Sequence, residues 1–258
     1  MKINDLDLTD WKNLDINVDS LWMIDKRDNS GVHSASYHGN FVPQIPNQLL
    51  RRFTKQDDFV LDPFLGGGTT LIECQRLKRN GIGIELQEDV AKNSNHLINQ
   101  EQNNGTIADI YVGDSSNFNY SKLLEKYNIK GVQFILYHPP YWDIIKFSEN
   151  EKDLSNTKSL DEFLNKFEKV IVDSTKILEK GRYCAIVIGD MYKDSQVIPL
   201  GFYCMQLFMK NKLKLKAIVV KNFNETKGKQ NQQALWHYRA LKNNLYLFKH
   251  EYIFVFKK

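Results

Sequence analysis

The chain has 258 residues, 42% of them hydrophobic and 12% aromatic, with a net charge of +4. That is enough for one α/β domain with a sizeable core, and no apolar run approaches the roughly 20 residues that span a bilayer, which argues against a membrane role. Cys74, Cys184 and Cys204 show no CxxC or His/Cys spacing, so the expectation is reduced thiols in a cytoplasmic protein and no metal site.

Residues 1–15 are acidic and polar, unlike a secretory leader. Residues 1–36 read as an N-terminal extension packed on the core, with Trp11 and Trp22 as anchors, and residues 37–258 as the main domain. Residues 47–54 are predicted helical. An apolar run at 58–64 ends in an acid and a glycine turn, and helical spacing follows over 71–80. Strands are predicted at 81–86, 107–114, 131–138 and 182–190, and helices at 88–102, 160–179 and 198–211. Strands at 214–223 and 250–258 close the chain. With no helix read between them, they are expected to pair antiparallel. The alternation predicts a Rossmann-like, mostly parallel seven-stranded sheet with an antiparallel terminal strand and helices on both faces.

The glycine turn runs from Leu61 through Asp62, Pro63, Phe64, Leu65, Gly66, Gly67 and Gly68 to Thr69 and Thr70. Glycines permit positive φ and close backbone approach, and a helix start offers unpaired N–H groups. A nucleotide-like cofactor fits there, at the carboxyl end of a parallel strand. No Lys-Ser/Thr pair follows, so this is not a phosphate loop, and the GxGxxG spacing is missing. Glu85 ends the next strand about 20 residues on, where an acid can accept from both ribose hydroxyls. Asp114 ends the third strand and can accept from an adenine amino group. Helix capping would explain either acid alone; three acids at successive strand ends favour the ligand.

The fourth strand runs into His138-Pro139-Pro140-Tyr141-Trp142. Two prolines stiffen the backbone and remove two donors, leaving carbonyls to accept. An aromatic amine is a poor nucleophile because its lone pair is delocalised into the ring. Acceptors on its hydrogens, such as the His138 ring and the Pro139 carbonyl, favour a tetrahedral nitrogen. Tyr141 can stack on an extruded base and Trp142 can extend that wall. A structural Pro-Pro turn with aromatic packing is the competing explanation.

These residues resemble the amino-methyltransferases of DNA, which act at adenine N6 or cytosine N4. Their cofactor motif is similar to Asp62, Pro63, Phe64, Gly66, Gly68, Thr69 and Thr70, and their catalytic motif to residues 138–141. The segment of Tyr37, Asn40, Phe41 and Pro43 resembles the one that closes over the methionine end of S-adenosylmethionine (SAM), and His250-Glu251 resembles the opening of the family's terminal strand. The resemblance implies a SAM-dependent methyltransferase fold with SAM bound by these residues together with Glu85 and Asp114. It also implies a base flipped out of double-stranded DNA onto Tyr141. The family carries Asp, Asn or Ser where this chain has His138. Asp and Asn go with adenine and Ser with cytosine, so the base stays open, with a lean to adenine. Neutral imidazole accepts a hydrogen bond and imidazolium does not, so activity is expected to fall at acidic pH.

No separate recognition domain is apparent. Residues 143–160 read as a DNA-ordered loop or a surface linker. Residues 221–245 are basic, and Lys221, Lys227, Lys229, Trp236 and Arg239 are candidate DNA contacts there; a solvated face is the alternative. A restriction–modification enzyme with a cognate nuclease, or an orphan modification enzyme, fits the resemblance, and a homodimer is open. An RNA amino-methyltransferase and a non-catalytic DNA-binding partner subunit remain alternatives.

Overall fold

The computed structural model describes residues 2–222 and 233–258. The chain opens with a short 3₁₀ turn and β1 (Leu21–Trp22), followed by α1 (Gln44–Phe53), β2 (Phe59–Asp62), α2 (Thr69–Arg76), β3 (Asn80–Glu85), α3 (Glu88–Gln100) and β4 (Ala108–Val112). The second half holds α4 (Ser121–Tyr127), β5 (Val132–Tyr137), α5 (Leu160–Lys176), β6 (Leu178–Ile188), the hairpin β7 (Met191–Lys193) and β8 (Gln196–Ile198), α6 (Leu200–Lys210), β9 (Lys214–Asn222), α7 (Gln233–Lys242) and β10 (His250–Lys257).

Eight strands form one sheet in the order β1-β9-β10-β6-β5-β2-β3-β4. β10 runs antiparallel to both neighbours, and every other pairing in the sheet is parallel. The sheet is thus the expected one plus β1, which the extension adds at an edge. From β2 the chain proceeds outward through β3 and β4, then crosses back to place β5 on the other side of β2. That reversal opens a crevice at the carboxyl ends of β2 and β5, where ligands bind in open α/β sheets.

Strand alternation sorts the core into two layers. Ile135, Tyr137, Cys184, Ile186, Phe254 and Phe256 meet Phe163, Phe167 and Phe208 of α5 and α6. Their sequence neighbours Phe134, Leu136, Ala185, Val187, Ile253 and Val255 meet Ile45, Leu49 and Leu50 of α1 on the opposite face. Ser159 caps α5, its hydroxyl accepting the Glu162 amide at 3.1 Å. All three cysteines are buried and free.

Several expectations need correction. Trp22, in β1, is buried in the core, but Trp11 is exposed, so only one of the two tryptophans anchors the extension. Asp5 does the work assigned to Trp11, accepting from buried Arg79 at 2.8 Å. α5 stops at Lys176 and β6 begins at Leu178, because Ile177 and Leu178 fit either period. α4 and the β7–β8 hairpin were not read from the sequence, both being short. α7 lies between β9 and β10, where no helix was expected; most of its side chains are exposed and it carries no clean apolar stripe.

Candidate active site

One cavity of about 910 Å³ lies across the strand ends. Its first half is lined by Asp62, which ends β2, with Phe64, Gly66 and Thr69 beyond it, by Glu85, which ends β3, with Gln87, and by Asp114 and Ser116 after β4. Its second half is lined by Gly189 and Asp190 after β6, Lys221 and Asn222 ending β9, and His250 and Glu251 opening β10. The segment His138–Tyr141 stands between the halves. β10 runs antiparallel, so its start lies at the same end of the sheet as the ends of the other strands.

The acids of the first half are held in place. Asp62 accepts the Phe64 amide at 2.9 Å and the Thr70 hydroxyl at 2.5 Å. Burial pushes its carboxyl up to about 7, against those two hydrogen bonds. Glu85 accepts the amides of Gly66 and Gln87, both at 2.9 Å, and burial raises its carboxyl as well. Asp114 accepts the amide of Ser116 at 2.8 Å, so the capping role and a cavity position hold together for this residue.

The 37–43 segment closes this half from above. Arg27 donates to the Phe41 and Ser34 carbonyls at 2.8 and 3.1 Å, which fixes the segment's path. Asn40 accepts the Gly67 amide at 3.2 Å. The glycine turn needs its glycines here because a Cβ on Gly66 would lie 2.8 Å from the Tyr37 ring, and Gly66 has φ of 52°. Tyr37, Asn40 and Phe41 line the cavity. Pro43, Gly68 and Thr70 do not: Pro43 precedes α1, Gly68 faces Ile98, and Thr70 reaches Asp62. These three support the site from behind.

His138 is wedged between Phe41, with ring centroids 4.7 Å apart, and the edge of Tyr141 at 5.8 Å. Its ring takes no hydrogen bond from any described residue. Burial, followed by the charge of Lys221, holds the imidazole down to about 3. That shift favours the neutral, accepting ring, so a loss of activity through His138 is expected only at a pH well below the ordinary histidine range.

Asp190 and Glu251, outside the predicted set, join Tyr141, Lys221 and Trp236 in the second half. The Tyr141 hydroxyl donates to Glu251 Oε2 at 2.9 Å, and Lys221 Nζ lies 3.1 Å from Glu251 Oε1. Lys221 and Glu251 are opposite one another across β9 and β10. Lys221, read as a candidate DNA contact or part of a solvated face, is not solvated: it is buried and ion-paired in the cavity lining. Trp142 was expected to extend the base-stacking wall; it is a core residue, donating to the Thr157 carbonyl at 3.4 Å. Trp236 lines the cavity, and exposed Arg239 lies over its ring at 5.1 Å. Lys227 and Lys229 lie outside the described residues. Residues 143–160 are neither plain linker nor open loop. Asp153, Leu154, Ser155 and Thr157 are buried, and Phe147 stacks on Tyr37 over the cavity. Asp190 and Glu251 had a signal in the sequence, since each is an acid at a strand end on the cavity side.

The family model for N6/N4 DNA methylases matches residues 4–96. Type II methyltransferase M.MjaII of Methanocaldococcus jannaschii is 27% identical over 179 residues, 64% of this chain and 31% of the relative. M.MjaI of the same organism is 47% identical over 51 residues, 20% of this chain and 17% of that protein. Over these segments the chain is similar to the N6/N4 DNA methylases. The chain spans under a third of either relative's length. Among solved structures, its fold is similar to TrmN from Thermus thermophilus, with a TM-score of 0.54 at 15% identity, covering 86% of this chain and 50% of that one. It is also similar to a SAM-dependent methyltransferase from Methanosarcina mazei, with a TM-score of 0.52 at 11% identity, covering 81% and 96%. The chain therefore has the Rossmann-like fold of SAM-dependent methyltransferases, and among its described residues no helix is long and apolar enough to cross a membrane.

Proposed function

We propose that the chain methylates an exocyclic amino group, N6 of adenine or N4 of cytosine, on a base extruded from double-stranded DNA, with SAM as methyl donor. The observation that carries this reading is that His138–Tyr141 stand beside the Gly66 turn and Glu85 in one cavity. The donor set suits SAM: Glu85 and Asp114 offer acceptors for a ribose and an adenine amine, and Phe64, Leu65, Ile84 and Leu86 offer apolar walls. When bound, SAM supplies a methyl group on a positively charged sulfur, open to attack by a nitrogen lone pair. The chain's own residues supply the rest.

Tyr141 offers a ring for the extruded base. The Pro139 carbonyl and the neutral His138 ring accept the hydrogens of the target amine and turn its lone pair out of conjugation. Phe147 on Tyr37 covers the cavity and limits water. Positioning of the two reactants supplies most of the rate. Outside the cavity, α7 carries exposed Arg239 and Lys242 beside Trp236, suited to the phosphates flanking the extruded base. A restriction–modification setting and a cytoplasmic location accord with the Type II names of the relatives.

Mass spectrometry of nucleosides from unmethylated DNA incubated with the protein and SAM tests the reading. N6-methyladenine or N4-methylcytosine is the expected product and identifies the base. Methylation of RNA alone would overturn the DNA assignment.

A further inference from the structure

The ion pair of Lys221 and Glu251 is costly to bury. Both side chains are about 5% exposed, and desolvating two charges offsets much of their attraction. A buried pair at a cavity wall therefore calls for a use beyond stability. Its geometry indicates one. Glu251 Oε1 faces Lys221 at 3.1 Å, while Oε2 accepts the Tyr141 hydroxyl at 2.9 Å. The Tyr141 ring is confined on two further sides. Its edge meets His138, and a Cβ on Gly189 would come within 3.1 Å of its Cε2 atom.

The constraint runs from backbone to ring. β9 and β10 bring Lys221 and Glu251 opposite each other. β1 pairs alongside, Trp22 opposite Lys221, so Lys221 is covered by the N-terminal segment. The carboxylate is thus anchored by a rigid three-strand edge, while Tyr141 comes from the loop after β5. Without the tie, the prolines and the contacts with His138 and Gly189 would remain, but nothing would hold the hydroxyl end of the ring.

We infer that Glu251, braced by Lys221, is a positioning residue: it fixes the Tyr141 hydroxyl, and with it the ring on which the extruded base stacks. The inference rests on the proposed methyl transfer for its consequence but not for its geometry.

Two measurements test it separately. The first uses the full chain labelled with 3-fluorotyrosine, with the Tyr141 ¹⁹F resonance assigned by its loss in Tyr141→Phe. Glu251→Gln is expected to move or broaden that resonance while SAM binding stays within about twofold. An unmoved resonance overturns the inference whether or not DNA is a substrate. The second is steady-state methylation of DNA. Glu251→Gln and Tyr141→Phe are each expected to raise KM for DNA about tenfold, with a smaller change in kcat. The double variant is expected to be no worse than either single one, because both remove the same link. Multiplying effects overturn the inference. If the wild type methylates no DNA while the resonance responds, the positioning stands and the methyl-transfer reading falls. Should Glu251→Gln fail to fold because Lys221 is left unpaired, Lys221→Met with Glu251→Gln removes both charges and carries the same two measurements.

Discussion

The Glu85 carboxylate reaches from the end of β3 to the glycine turn after β2 and accepts the Gly66 amide at 2.9 Å. One oxygen thus sets the turn and the other accepts from Gln87, so the acid that faces the cavity also shapes it. Glu85→Gln exchanges one acceptor oxygen for a donor and cannot satisfy both amides. The expected result is a 10- to 100-fold rise in the Kd for SAM, about 1.5–3 kcal/mol for hydrogen bonds to a charged group, read by calorimetry. An unchanged Kd would remove Glu85 from the cofactor site.

His138 makes a prediction about pH that differs from the one its residue type suggests. An ordinary histidine titrates near 6.5, but burial and Lys221 hold this one near 3. The acceptor form therefore persists through pH 5.5, and kcat/KM should show no ionisation of His138 between pH 5.5 and 8. The unfolded chain still takes up a proton near 6.5. Stability from this group is thus full above that pH and is lost as pH falls toward 3. Lys221→Met removes the repelling cation and leaves the Glu251 charge, so the acid limb of the pH profile should move upward. A limb that stays in place would show that His138 does not govern it.

The fold was legible because strand alternation and helix spacing repeat over long segments, as in Phe134–Tyr137 and Phe254–Phe256. The cavity's first half was legible for a related reason: its residues follow one another in a turn, or end consecutive strands. The second half was not. Lys221 and Glu251 are 30 positions apart, and only the β9–β10 register joins them. A lysine in a basic stretch reads as a surface residue, and nothing local distinguishes Lys221 from Lys216, which is exposed. β1 was missed because two residues are too few to show a period. Its existence depends on β9 offering an open edge.

Trp142 separates a packing role from a binding one. It is 5% exposed, and Lys193 Nζ lies 4.0 Å from its ring centroid, closing the outer side. Trp142→Ala should cost about 3–5 kcal/mol, the range for deleting a large buried aromatic side chain. Denaturant unfolding measures this. A variant of normal stability that only loses DNA affinity would return Trp142 to the base-stacking wall.

Arg239 tests whether α7 meets the nucleic acid. It is exposed and lies over Trp236, which lines the cavity, so the helix joins the cavity to the outer surface. A phosphate contact contributes counterion release. Arg239→Ala should therefore weaken DNA binding for all sequences alike and lower the salt slope of log K by about 1. Fluorescence anisotropy on a DNA duplex across a salt series reads both quantities. SAM affinity should not change, since Arg239 does not line the cavity. A sequence-dependent loss with an unchanged slope would instead make Arg239 a reader of base edges. No loss at all would leave α7 as a solvated helix, and the DNA contacts would have to come from elsewhere on the cavity rim.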